Sequence, residues 1–311
     1  MNLVRPLLIA GLIVAGILFA TAFTPHHPSD SEFITLFGHL VPHTLASGAP
    51  GAETALLSID APWLFEAGDG DPYKDGTQIA FSNLQVFQLL AIVLLVVAFS
   101  GVPGYLKSGR GDWVSRVFAG FALWVRDEMV YPVMGREVGR KFLPFLYTLF
   151  FFVLFMNLLG LLPGSSTATA SVFVTAGLAA VTLLVMLFGG MAAQGPLAYW
   201  KNLVPHVPIG IWPIMFVVEF VGIFVKPFAL MIRLFANMTG GHMVVLSFMG
   251  LIFVASRPEL LGPIGAYATS PVLVGFGVFI MIIESFVAML QAYVFTMLSI
   301  LFIQASIHPE H

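Results

Sequence analysis

The sequence predicts an all-α polytopic membrane protein with five core membrane helices, the last two of which form a long, tilted hairpin. Two observations support this prediction. Hydrophobic residues make up 59% of the 311 residues and charged residues only 9%, whereas soluble domains carry about 25% charged residues. Apolar stretches of roughly 20 residues, the length that spans a bilayer, also recur along the chain. The composition therefore excludes an ordinary soluble domain.

The candidate membrane stretches follow one another with a single amphipathic interruption. After an N-terminal apolar stretch at 6–23, the core stretches lie at about 82–102, 143–163, 169–192, 208–255 and 271–305. Between the first two core stretches, residues 111–142 carry apolar and charged side chains at helical spacing. This pattern predicts an amphipathic helix on the cytoplasmic surface. A solvated loop is the alternative for that segment.

The chain is predicted to have three parts. Residues 1–22 combine Arg5 and an apolar run with the small residues Ala20 and Ala22, which is typical of a signal peptide. A retained N-terminal anchor is the alternative. Residues 23–80 are predicted to form an extracytoplasmic acidic segment, and residues 81–311 the membrane domain.

Charged residues are distributed unevenly between the loops. Residues 24–80 carry eight acidic residues and one basic residue, whereas residues 103–142 carry seven basic residues. Cytoplasmic segments of membrane proteins are enriched in Lys and Arg. We therefore expect 103–142 and the C-terminus on the cytoplasmic side, and 24–80 outside.

Several classes of function lack the residues that they need. The net charge of −3 provides no basic surface for nucleic acid, and the absence of cysteine removes thiolate nucleophiles and cysteine-ligated metals. The sequence contains neither a G-x-x-x-x-G-K-[ST] loop for nucleotide phosphates nor an H-E-x-x-H string for a catalytic metal. We therefore expect no cofactor and no metal on this chain.

The two long C-terminal stretches carry ionisable residues among apolar ones. At about 100° per residue, four polar residues share one narrow face of the first stretch: Glu219, Lys226, Arg233 and Asn237. His242 falls near the opposite face unless the helix bends at Gly240–Gly241. On the second stretch, Glu284 and Gln291 share a face because they are seven residues apart. A hairpin would bring the two polar faces together.

Ionisable side chains inside a membrane are costly and by default mark an ion path. Arg233 stays charged, while His242 and Glu284 can exchange protons, so the set suits proton movement past a fixed cation. The alternatives are buried ion pairs that link helices and a secondary transporter. The transporter would require inverted repeats, which the sequence does not show. An intramembrane metalloenzyme would require the metal motif that is missing.

One segment of the first long stretch is similar to a known family. Residues 226–238, KPFALMIRLFANM, closely resemble the signature of subunit a of the F-type ATP synthase, whose central element is an Arg-Leu-Phe-x-Asn-Met string on a long membrane helix. Residues 151–163 are similar to the family's first hairpin helix, and Glu284, Gln291 and Tyr293 are similar to its final helix. The resemblance covers roughly residues 80–306.

The resemblance implies a proton-translocating stator in a bacterial inner membrane. Two aqueous half-channels would face the rotating c-ring, the peripheral-stalk b subunits and membrane lipid would be further partners, and ATP synthesis would take place on other subunits. Arg233 would attract the ring carboxylate and separate the half-channels. The resemblance assigns His242, Glu284 and Glu219 to the outer half-channel. It places Asn237 and Gln291 beside the arginine. Lys226 falls at a variable lining position.

Cysteine labelling tests the predicted topology, because the natural chain contains no cysteine. We expect a membrane-impermeant thiol reagent to label Gly70→Cys from the outer face of intact cells. We expect it to label Ser108→Cys only after the inner face has been opened. The reverse pattern would contradict the orientation that the charge distribution predicts.

Overall fold

The computed structural model describes residues 4–23, 83–162, 167–204, 211–255 and 262–308, together with four short strands between 46 and 80. The strands pair as two antiparallel ribbons, β1 (Ala46–Ser47) with β2 (Thr54–Ala55) and β3 (Ser58–Asp60) with β4 (Gln78–Ala80). Apart from these strands, the predicted acidic segment 23–80 lies almost entirely outside the described residues.

Helices account for nearly all of the other described residues. They are α1 (Val4–Phe23), α2 (Asn83–Phe99), α3 (Val102–Ser108), α4 (Trp113–Trp124), a π-helical segment (Val125–Val130), α5 (Tyr131–Gly160), a 3₁₀ turn (Ala168–Ala170), α6 (Val172–Gln194), α7 (Pro196–Lys201), α8 (Trp212–Ala255) and α9 (Gly262–Ile307).

Six helical stretches among the described residues are long and apolar enough to cross a membrane. They are Val4–Ala22, Asn83–Ser108, Trp113–Gly160, Val172–Gln194, Trp212–Ile252 and Tyr267–Ile307. Five of these stretches follow the N-terminal one, so the prediction of a polytopic protein with five core membrane helices is confirmed. The bounds differ from the predicted ones mainly at the start of the second and fifth core stretches.

The amphipathic segment 111–142 is helical, as predicted, and not a loop. It is not a separate helix, however, because α4 continues through the π-helical segment into α5. Gly135 interrupts this run with φ 70° and ψ 171°, a conformation that glycine adopts at no steric cost. The second core stretch therefore begins well before the predicted residue 143, since no loop separates the surface helix from the membrane helix.

The inner face of α4 is held by aromatic packing. The ring of Phe118 lies 5.5 Å from that of Phe99 on α2 and 6.1 Å from that of Phe151 on α5, centroid to centroid. The Phe99 and Phe151 rings meet edge to face at 4.6 Å, an arrangement that aromatic pairs prefer. Trp113 and Trp124 remain exposed on the other side of α4, as expected for a helix that lies at a membrane interface.

The N-terminal helix α1 contacts the core helices through both of its ends. Arg5 donates a hydrogen bond to Ser115 at 2.5 Å and lies 3.5 Å from a carboxylate oxygen of Asp112. Near the other end, Ala20 is only 3% exposed and belongs to a buried cluster with Leu84 and Phe87 of α2. α1 is thus packed against α2 and the start of α4.

The last two helices form the predicted hairpin. α8 has 44 residues and α9 has 46, so each is about 65–70 Å long at 1.5 Å per residue. A hydrocarbon core is only about 30 Å thick, so both helices must tilt steeply or project from the bilayer. They pack along each other and against α5 and α6. α9 begins at Gly262 and not at the predicted residue 271, and Pro271 lies inside this helix.

The two faces of α8 differ in the part that carries the signature segment. Leu230, Leu234 and Met238 recur every four residues and are at most 1% exposed, so they form the stripe that faces the bundle. Arg233 and Asn237 lie on the exposed side. The helix therefore holds its apolar stripe in the core and presents its polar residues at the surface or to α9.

The ends of α6 and α9 are joined by close packing at Gly190. Ser306 donates to the carbonyl of Met186 at 2.8 Å, and the side-chain amide of Gln194 donates to the carbonyl of Ser306 at 2.8 Å. A Cβ at Gly190 would lie 2.9 Å from that same carbonyl oxygen and closer still to the Ser306 hydroxyl. Only a glycine allows this approach.

Replacing Gly190 tests this packing. Gly190→Val should push α9 away from α6 and destabilise the protein by roughly 1–3 kcal/mol, the usual cost of overpacking. The measurement is the Tm of the purified protein in detergent and its abundance in the membrane. Gly177→Val on the same helix is the matched control, since a Cβ there meets nothing within 4 Å. Equal losses in the two variants would contradict the packing.

Candidate functional site

A buried polar cluster joins the middle of α8 to α9 and to the turn that precedes α6. The imidazole Nε2 of His242 on α8 lies 3.8 Å from Oε1 of Glu284 on α9. The same Nε2 lies 2.5 Å from the hydroxyl of Thr167, which precedes the 3₁₀ turn. Glu284 and Thr167 are each 4% exposed. Three separate elements therefore bring one titratable pair and one hydroxyl into contact.

Two glycines make this cluster possible. A Cβ at Gly241 would lie 3.0 Å from Cγ of Glu284 and would overlap its carboxyl group. A Cβ at Gly160, the last residue of α5, would lie 2.9 Å from the Thr167 hydroxyl oxygen. Real Cβ atoms do not approach other atoms this closely, so a side chain at either position would displace Glu284 or Thr167.

A second polar contact lies further along the hairpin. The amide of Asn237 on α8 donates to the amide oxygen of Gln291 on α9 at 2.9 Å. Between the two contacts, Asn157 on α5 donates to the carbonyl of Ala288 at 3.3 Å. Polar groups thus continue along α9 from Glu284 to Gln291, inside an otherwise apolar interface.

Several buried polar atoms of this interface have no partner among the described residues. They include both carboxyl oxygens of Glu284, the amide oxygen of Asn157 and the amide nitrogen of Gln291. Buried polar groups are normally hydrogen-bonded, and each exception calls for an explanation such as a catalytic role or water. This row of groups is therefore a candidate path for protons.

Arg233 has a different environment. Its side chain is exposed, and it forms no ion pair with any residue that the structure describes. Phe228 and Ile232, close to Arg233 in the sequence, are apolar and are 58% and 42% exposed on the same helix. An unpaired guanidinium on an apolar membrane-facing surface is costly, so this surface of α8 requires a partner with a negative charge or water.

The predicted meeting of the two polar faces is correct only in part. The face of α9 with Glu284 and Gln291 does contact α8, but through His242 and Asn237. Arg233 itself lies outside this contact. α8 stays helical through Gly240–Gly241, and His242 nevertheless lies 3.8 Å from Glu284 on α9.

Glu219 is not part of the His242 cluster. It lines a cavity of about 160 Å³ whose other polar lining residues are Lys226, Gln194, Tyr199, Asn202 and Ser306. His242 follows Glu219 by twenty-three residues on the same helix, which is about 35 Å at 1.5 Å per residue. The structure therefore places Glu219 apart from His242 and Glu284, in a separate cavity. Arg233 lies between the two groups along α8, and this order separates them.

Lys226 also lines the cavity that contains Glu219. Its ammonium group is 5.9 Å from the ring centroid of Phe302 on α9, within the range of a cation–π contact. The side chain is exposed otherwise.

The sequence did not single out Thr167, Gln194 or Ser306. Thr167 belongs to a short run of hydroxyl residues between two apolar stretches, and this run was the available signal. Gln194 and Ser306 lie near the ends of their helices, where polar residues are common, so nothing in the sequence distinguished them. Their role becomes visible only when α6 and α9 are packed together.

Disulfide formation tests the approach of α8 to α9. In the double variant Gly241→Cys/Glu284→Cys, the two Cβ atoms should be close enough for a disulfide, which requires about 3.5–4.5 Å. We expect rapid cross-linking by copper phenanthroline, measured by peptide mapping under non-reducing conditions. The control is Gly240→Cys/Glu284→Cys, because Gly240 faces open space. Equal cross-linking of both pairs would contradict the geometry.

Comparison with known proteins identifies the family of the chain. Residues 85–304 match the family model described as ATP synthase A chain. The chain is 46% identical over 258 residues to ATP synthase subunit a of Myxococcus xanthus, with 81% of each chain covered. It is 40% identical to ATP synthase subunit a 2 of Chlorobaculum tepidum, with 92% of this chain and 86% of the relative covered. The chain therefore belongs to the ATP synthase A chain family, the proton-translocating subunit a of the enzyme's membrane sector.

Proposed function

We propose that the two polar groups on either side of Arg233 are the two halves of the proton path. The first half contains His242 and Glu284, followed by Asn237 and Gln291. The second half is the cavity that contains Glu219. The observation that carries this proposal is the order along α8: the cavity residues, then the exposed Arg233, then the buried pair.

The charge distribution supports an orientation for the two halves. The cavity that contains Glu219 also includes Ser306, close to the C-terminal end of α9, and the C-terminus is expected in the cytoplasm. The cavity would then open to the inner side. Glu284 lies twenty-two residues before Ser306 on α9, about 33 Å along the helix, which favours an opening of the first half to the outer side.

Arg233 keeps the two halves apart in this proposal. Its guanidinium stays protonated, so it repels a proton that would pass directly from one half to the other. Its exposed position on an apolar surface suits a partner that brings its own carboxylate. That partner would be the c-ring, whose carboxylate is ionised while it lies beside Arg233 and protonated while it turns through lipid.

The proton sequence follows from these positions. A proton from the outer side reaches the His242–Glu284 pair and then the ring carboxylate, which becomes neutral and moves away from Arg233. After nearly one rotation the protonated carboxyl group of the ring reaches the cavity that contains Glu219 and releases its proton there. In this proposal ATP synthesis takes place on other subunits of the complex, and the sequence contains no G-x-x-x-x-G-K-[ST] loop for nucleotide phosphates.

Further assignments extend this proposal to the whole chain. The chain is a multi-pass membrane protein, and we place it in a bacterial inner membrane, bound to the peripheral-stalk b subunits and to lipid. The contacts of Arg5 with Ser115 and Asp112 support a retained α1 over a cleaved signal peptide. Residues 23–80 would form a segment outside the membrane, and residues 81–311 the proton-conducting domain.

Arg233→Ala tests the proposal most directly. We expect ATP-driven proton pumping in inverted vesicles to vanish, because the ring carboxylate loses its counter-charge and the two halves are no longer separated. A pH-sensitive dye measures pumping, and a blot measures the assembled complex. Arg140→Ala, at an exposed position on α5, is the control and should pump normally. Coupled pumping by Arg233→Ala would refute the proposed role of the arginine.

A further inference from the structure

The hydroxyl of Thr167 makes two contacts that together define its role. Its oxygen lies 2.5 Å from Nε2 of His242 and 3.3 Å from the carbonyl oxygen of Gly160. A hydroxyl has one hydrogen to donate and two lone pairs that accept. Both contacts are hydrogen bonds at the same time only if the hydroxyl donates its single hydrogen to the carbonyl of Gly160. In that arrangement Thr167 accepts from His242, whose Nε2 carries the hydrogen.

This assignment has a consequence for the other nitrogen of the ring. A neutral imidazole carries one hydrogen, so the Nδ1 of His242 holds the free lone pair. An incoming proton therefore binds at Nδ1. The hydrogen bond made at one ring nitrogen commonly sets the state of the other, and here the partner is a buried hydroxyl fixed by the end of α5.

Thr167 and Glu284 compete for the same atom. Nε2 lies at hydrogen-bond distance from the hydroxyl, while Oε1 of Glu284 is 3.8 Å away, too far for a hydrogen bond. Glu284 has no other hydrogen-bond partner among the described residues. A small movement of the ring would exchange the hydroxyl for the carboxylate.

We propose that Thr167 is a positioning residue of the proton path, which holds neutral His242 with its hydrogen on Nε2 and away from Glu284 until the ring gains a second proton. This inference rests on the function proposed above for the His242–Glu284 pair. It adds a third group to the pair and assigns an order to the transfer steps.

The transfer balances as follows. A proton from water binds Nδ1 of neutral His242 and gives a cation with hydrogens on both nitrogens. The cation attracts the Glu284 carboxylate, leaves Thr167 and gives its Nε2 proton to Oε1, so the ring is neutral with its hydrogen on Nδ1 and the carboxyl is neutral. Loss of the Nδ1 proton to water and uptake of another at Nε2 restore the bond to Thr167. One proton has moved from water to Glu284.

The fold supports this role in two ways. Thr167 is 4% exposed, so its hydroxyl has no access to bulk water as an alternative partner. A side chain at Gly160 would collide with the Thr167 hydroxyl. The end of α5 is therefore shaped to hold this hydroxyl against His242.

The experiment compares Thr167→Val with Thr167→Ser in the assembled complex. Valine keeps the shape and removes the hydroxyl, whereas serine keeps the hydroxyl. ATP-driven pumping in inverted vesicles is divided by the amount of assembled complex. We expect Thr167→Val to lower this ratio about five- to tenfold, the effect of losing one neutral hydrogen bond, and Thr167→Ser to restore at least half of it.

Two further variants separate the possible outcomes. Thr175→Val removes an equally buried hydroxyl that bonds only to carbonyls of its own helix turn, and it should pump normally. His242→Ala should pump very little if the proposed proton path is correct. Normal pumping by His242→Ala would refute that path. Loss in His242→Ala with normal pumping by Thr167→Val would overturn only the role of Thr167.

A purely structural role of Thr167 has its own result. In that case Thr167→Val would lose assembled complex while pumping per complex stayed normal, or Thr167→Ser would be as defective as Thr167→Val. Either result would overturn the inference. Failure of Thr167→Val to assemble while Thr175→Val assembles would do the same.

Discussion

The burial of Glu284 between two apolar helices is the constraint on which the rest of the site depends. Its carboxyl group is 4% exposed and accepts no hydrogen bond from the described residues. An ionisable group at such a place is costly, so α8 must offer it both space and a titratable partner. Gly241 leaves the space, because any Cβ there would overlap the carboxyl group, and His242 is the partner 3.8 Å away. Neither residue would suffice alone.

The cavity that contains Glu219 also offers polar partners to an ionisable group, and here the backbone of α8 contributes to them. Pro227 lies inside α8 and has no N–H to donate to the carbonyl of Ile223, one turn earlier. Ile223 lines the same cavity as Glu219 and Lys226. The carbonyl of Ile223 therefore lacks its helical donor and is one more polar backbone group at the cavity that Glu219 lines. Water in such a cavity would then have both backbone and side-chain partners.

The sequence predicts the membrane helices well and the site only in part, for physical reasons. Hydropathy and length decide which stretches span a bilayer, so the five core helices are confirmed. Helical spacing places Glu284 and Gln291 on one face, and both are buried there. Helical spacing does not show that Glu219 lines a cavity with Gln194 and Ser306, because these residues come together only when α6 and α9 pack against α8. Helical periodicity could not predict the contact of Thr167 with His242, because Thr167 lies on a turn and is seventy-five residues away in the sequence.

The exposed position of Arg233 follows from what a fixed cation must do in the proposed cycle. A buried arginine would pair permanently with a carboxylate of its own chain, and breaking that pair would cost several kcal/mol at every step. On the surface of α8, Arg233 has no such partner among the described residues, so an incoming carboxylate can bind and leave. Glu284 is kept from competing because it faces His242 on the other side of the helix. In the proposed cycle, the division of α8 into a surface with the cation and an inner face with His242 would therefore let one helix bind a moving charge and deliver protons without a direct leak between the two halves.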